Sequence, residues 1–487
     1  MDKIAYLLLA ACLFFMNTQK SIPIPAGKHP IYLGIVDILI WIAFAVWVLS
    51  VLLKRQILRI KWPPLATIAL PAVAAVSAAK VILTGGNKPD AAKEVFQLVE
   101  YFIIASVLLV NLVDTRARLR GVLGVFLFAA PAVVAWGLID YAAQPDAFLV
   151  GGAHNNMNVL GTYLGITLPF ILGIALFDDM RLWQRLTLLI PVAAGLPVIL
   201  SGAALAATLA SILLLLAMRS PRLMLPVALV ALVPAIILLP AHLRENHRNV
   251  VINSVAVYLD NNYLLGEQRL LQRAHKLFDE ERYTDARRVL VQLEAAGKLT
   301  ADGRALLETA DEKLGGTHQP DTVLPADTNG NPQPVVAMRY KCWQASLRAA
   351  IDHPWGAGPG SYQKAIGPYS GKFRQFTYDG DEPEVFNLGF EQPDSFNQFL
   401  VTAVELGVPG LLALIWFYVW GLSRSISLYS STRWCLSRGI AAGAMASLAF
   451  LPVLAAYSGI LVRGVALPFI FIVLCVHLAE KTEKEIT

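Results

Sequence analysis

The chain has 487 residues and a formal net charge of +5, with 56% hydrophobic and 15% charged side chains. Mean hydropathy is +0.56, whereas a soluble domain carries about 25% charged residues. These values exclude a chain that is water-soluble throughout and leave a polytopic membrane protein.

Apolar runs of spanning length fall, in chain order, at 4–17, 31–53, 62–83, 95–113, 119–140, 158–177, 184–200, 203–218, 222–240, 397–421, 438–458 and 460–479. They predict an all-α fold of about twelve transmembrane helices, nine within 1–240 and three within 396–487. The first run is short and follows Lys3 as a signal peptide would, but no small-x-small cleavage site follows, so it reads as an anchor. Ser201-Gly202 alone interrupt the 184–218 stretch, which predicts a tight hairpin there.

Basic residues test the orientation. Lys54, Arg55, Arg59 and Lys61 occupy one loop, Arg116, Arg118 and Arg120 the next but one, and Arg181 and Arg185 the next but one again. Arg219 and Arg222, then Arg424, Arg433 and Arg438, then Lys481 and Lys484 continue the alternation. All fall on one side if both termini are cytoplasmic. The block 241–395 is then extracytoplasmic. Charged residues are nearly absent from the span centres, and no inverted pair of broken spans is visible, which argues against a transporter.

The extracytoplasmic block opens with helical patterning over about 265–315. Ala274, Leu277, Tyr283, Ala286 and Leu290 have spacings that resemble one tetratricopeptide repeat, with a half-repeat after it. This insertion reads either as a helical cap or as a docking surface for a protein or glycan partner. Residues 316–338, rich in Pro, Asn, Gly and Thr, read as a linker. Arg339, Trp343, Leu347 and Ile351 then recur at helical spacing until Pro354. Gly356, Gly358, Pro359 and Gly360 predict a tight turn (353–360) whose backbone N–H groups can approach a ligand. Last comes "FEQPDSFNQFLVTAVELGVPGLLALIWF", Phe390 to Phe417, a polar loop that enters an apolar run in which Glu405 is the one charge. No CxxC or Cys/His spacing occurs among Cys12, Cys342, Cys435 and Cys475, so neither a metal nor another cofactor is expected.

Three stretches together carry a resemblance: "HNNMNVLGTYLGITLPFILG" (His154–Gly173), "RYKCWQASLRAAIDHPWGAGPGSY" (Arg339–Tyr362) and "DSFNQFLVTAVELGVPGLL" (Asp394–Leu412). In this order, and with about twelve spans, they resemble the O-antigen ligase/Wzy-type polymerase family. The resemblance implies a C-type glycosyltransferase-like membrane fold in the bacterial inner membrane, where surface polysaccharide is assembled. It implies transfer or polymerisation of a glycan from a polyprenyl diphosphate-linked donor to a glycan or lipid acceptor at the outer face, without a metal and without nucleic acid. Such chemistry needs cations for the leaving diphosphate and a base for the acceptor hydroxyl.

Carried over residue by residue, the resemblance makes Arg339 a diphosphate-binding cation, or else a helix-start Arg paired with a carboxylate. Asn156 and Asn158 match an Asn-x-Asn pair that binds sugar or caps a helix. His353 and the glycines match the family's turn. Two positions depart from the pattern: Ala203-Ala204 replace Ser-Arg, and Phe396-Asn397 replaces His-Asn. Phe cannot accept a proton, so Asp394 is the candidate base, with Lys372, Arg374 and Arg463 as further cations and Asn397 as a polar contact. Arg463 reads equally as an interfacial snorkelling residue. Lys80, Lys93 and Glu94 read as interfacial anchors. The departures keep a second reading open, an inactive homologue that binds lipid-linked glycan as a scaffold.

Overall fold

The computed structural model describes residues 1–16, 21–24, 31–55, 60–83, 88–143, 157–199, 201–220, scattered positions between 271 and 294, 301–313, 335–369, 397–461 and 465–484. The chain divides into two compact units, one formed by Met1–His247, Ala345–Tyr369 and Glu382–Thr487, the other by Arg248–Gln344 and Ser370–Asp381.

In the first unit, α1 (Asp2–Phe15) precedes a short antiparallel ribbon of β1 (Ser21–Ile24) and β2 (Ile31–Gly34), paired Ser21 to Gly34 and Ile24 to Ile31. The ribbon takes the first four residues of the expected 31–53 span, so α2 is Ile35–Leu53. α3 (Leu65–Leu83) follows, then α4 (Lys88–Leu98), which passes through a π-helical turn (Val99–Ile104) into α5 (Ala105–Leu112). α6 (Arg116–Ala143), α7 (Met157–Phe177), α8 (Leu182–Gly195) and α9 (Gly202–Arg219) complete the N-terminal set. A 3₁₀ turn at Leu196–Val198 follows α8, a few residues before Ser201-Gly202, where the hairpin was expected and where α9 begins.

Among the described residues six helices are long and apolar enough to cross a membrane, or up to seven if one bent pair is a single span. The expected span at 222–240 lies outside the described residues. Those at 184–200 and 203–218 correspond to shorter apolar helices.

Packing explains the arrangement. α7 is the central helix, with 89% of its apolar window buried. It lies against α14 (Cys435–Ala449), and a Cβ on Gly173 would stand 2.3 Å from the Gly443 Cα. Two glycines here let the backbones approach, the packing device of helices in lipid. The Ser447 hydroxyl donates to the Ile166 carbonyl at 2.7 Å across the same contact. α15 (Leu451–Tyr457) bends by 41° from α14 after Phe450, with Pro452 at its start, and α16 (Ala466–Lys484) closes the bundle.

Two carboxylates are buried in the spanning region, Asp37 (1% exposed) and Glu100 (2% exposed). Asp37 accepts the Gly34 N–H at 2.8 Å and the Tyr101 hydroxyl at 3.2 Å. A buried carboxylate must gain such donors to offset lost hydration. The π turn puts Glu100 and Tyr101 on the interior side, and both patterns are invisible to a hydropathy window.

In the second unit, Ala274, Ala286 and Leu290 are fully buried, and Ala274 and Leu290 pack with Leu307 of α10 (Ala301–Lys313). His275 Nε2 meets Asp302 Oδ2 at 2.9 Å, and Arg287 pairs with Asp311.

Candidate functional site

The polar loop ends where α13 (Gln398–Ser431) begins. Asn397 is its N-cap: the backbone is extended (φ −130°, ψ 103°) and Oδ1 accepts the Leu400 N–H at 3.2 Å. That satisfies a helix-start donor. Gln398 is buried, donates to the Thr402 hydroxyl at 3.3 Å and accepts the Leu461 N–H at 3.1 Å. The start of α13 is therefore tied to the backbone two residues before Arg463.

α13 does not run straight. Gly407 has φ 70° and ψ −167°, non-helical values inside the helix, and Pro409 follows. A break frees carbonyls and N–H groups that must find other partners. The turn after α11 (Val335–Asp352) supplies them. The Ala357 N–H donates to the Val404 carbonyl and the Gly358 N–H to the Glu405 carbonyl, each at 2.9 Å. In return the Val408 N–H donates to the Pro354 carbonyl at 2.9 Å. Backbone lies directly on backbone here. A Cβ on Gly356 (φ 80°) would stand 2.3 Å from the Glu405 carbonyl oxygen, and one on Gly407 2.3 Å from that of Pro354.

Side chains reinforce the clamp. Glu405 Oε1 accepts the Tyr362 N–H at 3.2 Å, at the start of α12 (Tyr362–Ile366). Lys80 Nζ, from the end of α3, donates to the Gly356 carbonyl at 3.3 Å. Ser77 reaches the Glu405 carbonyl at 3.4 Å. The buried Tyr362 hydroxyl and Ser346 Oγ of α11 lie 2.7 Å apart. Tyr369 donates to Asp352 Oδ2 at 2.5 Å, and that bond, ahead of desolvation, raises the phenol above its ordinary pKa.

The turn therefore spends its N–H groups on the protein. Gly356 and Ser361 donate within the turn, and Ala357 and Gly358 donate to carbonyls of the broken helix, so these N–H groups serve docking. His353 is exposed, and its carbonyl accepts the Gly356 N–H at 2.8 Å. Trp355 beside it is 72% exposed. Lys80, expected as an anchor, is part of the clamp. The signal for all this was present as Gly407-x-Pro409 inside an apolar run with a lone Glu405, a helix-breaking pattern.

The other candidates divide as follows. Asn158 sits half-buried in the first turn of α7, and its carbonyl accepts the Thr162 hydroxyl at 2.8 Å. Arg339 lies on α11, but its side chain is outside the described residues. Asn156, Lys372, Arg374, Asp394, Phe396 and Arg463 also lie outside them. Ala204 is 2% exposed on α9, and a Cβ on Gly161 of α7 would stand 3.2 Å from its Cβ. Where the resembled pattern has Ser-Arg, this chain has close helix packing. Among the described residues no group of three His, Cys, Asp or Glu side chains could hold a metal.

Comparison with known families finds that residues 186–415 match the family described as O-antigen ligase. The matched segment begins within α8, contains the 353–360 turn, and ends in α13 beyond the break. No curated protein matches the chain.

Proposed function

We propose, from the premise that residues 186–415 are an O-antigen ligase family region, that this multi-pass membrane protein transfers or polymerises glycan in surface-polysaccharide assembly. The donor is a glycan on a polyprenyl diphosphate, used at the outer face of the bacterial inner membrane, and both termini of a twelve-span chain face the cytoplasm. An acceptor hydroxyl oxygen forms a bond to the anomeric carbon as the bond from that carbon to the diphosphate breaks. The hydroxyl proton goes to the Asp394 carboxylate, and the polyprenyl diphosphate leaves with the electron pair. Arg339 holds the diphosphate in a forked contact, with Lys372, Arg374 and Arg463 as supporting cations, and Asn156, Asn158, His353 and Asn397 as polar contacts to the sugar.

One observation carries this reading: residues 186–415 match the family described as O-antigen ligase. The helix bearing Arg339 runs directly into the turn. The loop bearing Asp394 runs directly into the capped start of α13. In cells, Arg339→Ala and Asp394→Asn are each expected to abolish the polysaccharide or glycoconjugate product, consistent with losses of about 10²-fold or more for a positioned base or charge-stabilising donor.

The packed Ala204 in place of an arginine favours one second reading, a glycan-binding scaffold without transfer activity. It predicts that both substitutions are tolerated and that product is lost only when the helices of 265–315, then the contact for a protein partner, are removed.

A further inference from the structure

An open groove of about 640 Å³ lies between α1 and α6, away from the clamp, with Ala10, Ala11, Gly121 and Gly124 among its walls. Its lining is apolar except for Arg120. Beside Gly121 at the Arg120 end, the Tyr6 hydroxyl donates to the Arg118 carbonyl at 3.0 Å and stands 2.4 Å from where a Gly121 Cβ would be. At the other end Phe14 stacks on Phe128 at 6.4 Å. Between them Gly124 faces open space, with no atom within 4 Å of an added Cβ. Phe128 is 72% exposed, so the groove opens on the outer surface of the bundle.

Arg120 is not alone there. Arg116 and Arg120 stand 4.4 and 5.5 Å from the Trp434 ring. Asp178, next to Asp179, lies within the field of Arg120, and Arg185 also faces it. The groove thus carries a cationic head and an apolar body. Its length along α6, from residue 120 to 128, is about 12 Å at 1.5 Å per residue. One leaflet of a hydrocarbon core is about 15 Å thick.

We infer that this groove binds one anionic phospholipid of the leaflet at the N-terminal end of α6, its phosphate on Arg120 and one acyl chain along Gly121 and Gly124. Charge decides between occupants. A second copy of the chain using the same face around a two-fold axis normal to the membrane would bring two Arg120 side chains together at one depth. A phosphate meets the same guanidinium with opposite charge.

The test is native mass spectrometry of the full chain released from vesicles of phosphatidylglycerol and phosphatidylethanolamine in equal parts. The protein retains one phosphatidylglycerol in preference to phosphatidylethanolamine by about fivefold, the factor that corresponds to about 1 kcal/mol per surface arginine. Arg120→Gln removes that preference, and Gly124→Leu, whose Cβ meets no atom within 4 Å and whose side chain occupies the groove, removes the bound lipid. Arg181→Gln, an exposed arginine outside the groove, changes neither. The inference is overturned if Arg120→Gln and Gly124→Leu retain phosphatidylglycerol as before, or if Arg181→Gln lowers the preference as much as Arg120→Gln. It is equally overturned if the chain is a dimer that Gly124→Leu converts to monomer with lipid retention unchanged.

Discussion

Glu405 illustrates how a single charge in an apolar helix has a local cause. Its side chain accepts the Tyr362 N–H, and its carbonyl accepts the Gly358 N–H. A hydrogen bond to a charged group contributes about 1.5–3 kcal/mol, and removing the acceptor leaves a donor unsatisfied. Glu405→Ala is therefore expected to accelerate amide exchange across 354–369, whereas Glu405→Gln, which keeps an acceptor oxygen, spares it. Hydrogen exchange read by peptide mass spectrometry distinguishes them, and equal protection in both variants would remove Glu405 from the clamp. At this scale the sequence was readable where chemistry is local. Asn397 before an apolar run has a cap's side chain and place. Glu405 could be seen as unusual but not assigned, because its partner is 43 residues earlier in the chain. Asp37 and Glu100 were missed, because burial by Tyr101 and a π turn is a three-dimensional property.

Elements follow apolar runs closely, and the exceptions have physical reasons. Most expected spans become helices shifted by a few residues, since hydropathy marks the lipid-compatible core and not the cap. The break in α13 escapes a hydropathy window because Gly407 and Pro409 are compatible with an apolar average, while their backbone effect is large. The α7–α14 contact is likewise hidden in composition. With the two backbones this close, Gly173→Ala forces the helices apart, and overpacking of this kind costs about 1–3 kcal/mol. Gly443→Ala meets the Phe170 carbonyl oxygen at 2.5 Å. Both substitutions should lower the thermal unfolding midpoint in detergent, and the double variant should lose less than the sum, since they relieve one contact. Additive effects would contradict a shared interface.

The α1–α2 pair offers a pH test. Asp2 bonds Lys54 and lies 2.5 Å from the Ser50 hydroxyl. The Lys54 bond, then that of Ser50, holds the Asp2 carboxyl below its ordinary pKa. A depressed pKa contributes stability that is present above the unfolded value, about 3.9, and is lost as pH falls through the folded value. The pair is half exposed, so the effect is at most about 1 kcal/mol. Thermal unfolding of the wild type should lose this increment below the ordinary carboxylate range, and Asp2→Asn should lack it at all pH values. A wild-type and an Asp2→Asn protein with parallel pH profiles would contradict the assignment.

At the scale of the whole molecule, a broken helix and a glycine turn hold each other through main-chain bonds between distant parts of the chain. The membrane class was legible in the composition, and the motifs Arg339–Tyr362 and Asp394–Leu412 fall inside the segment that matches the O-antigen ligase family, whereas His154–Gly173 lies outside it. The clamp was not legible, because it is made of main-chain bonds between distant segments. Transfer chemistry is the claim on which the rest converges. Its most direct measurement uses the purified full chain in lipid nanodiscs with a polyprenyl diphosphate oligosaccharide and an acceptor glycan, following free polyprenyl diphosphate. The account predicts release that depends on acceptor and falls by about 10²–10⁴-fold in Asp394→Asn. Binding of the donor with no release above the protein-free blank would contradict it.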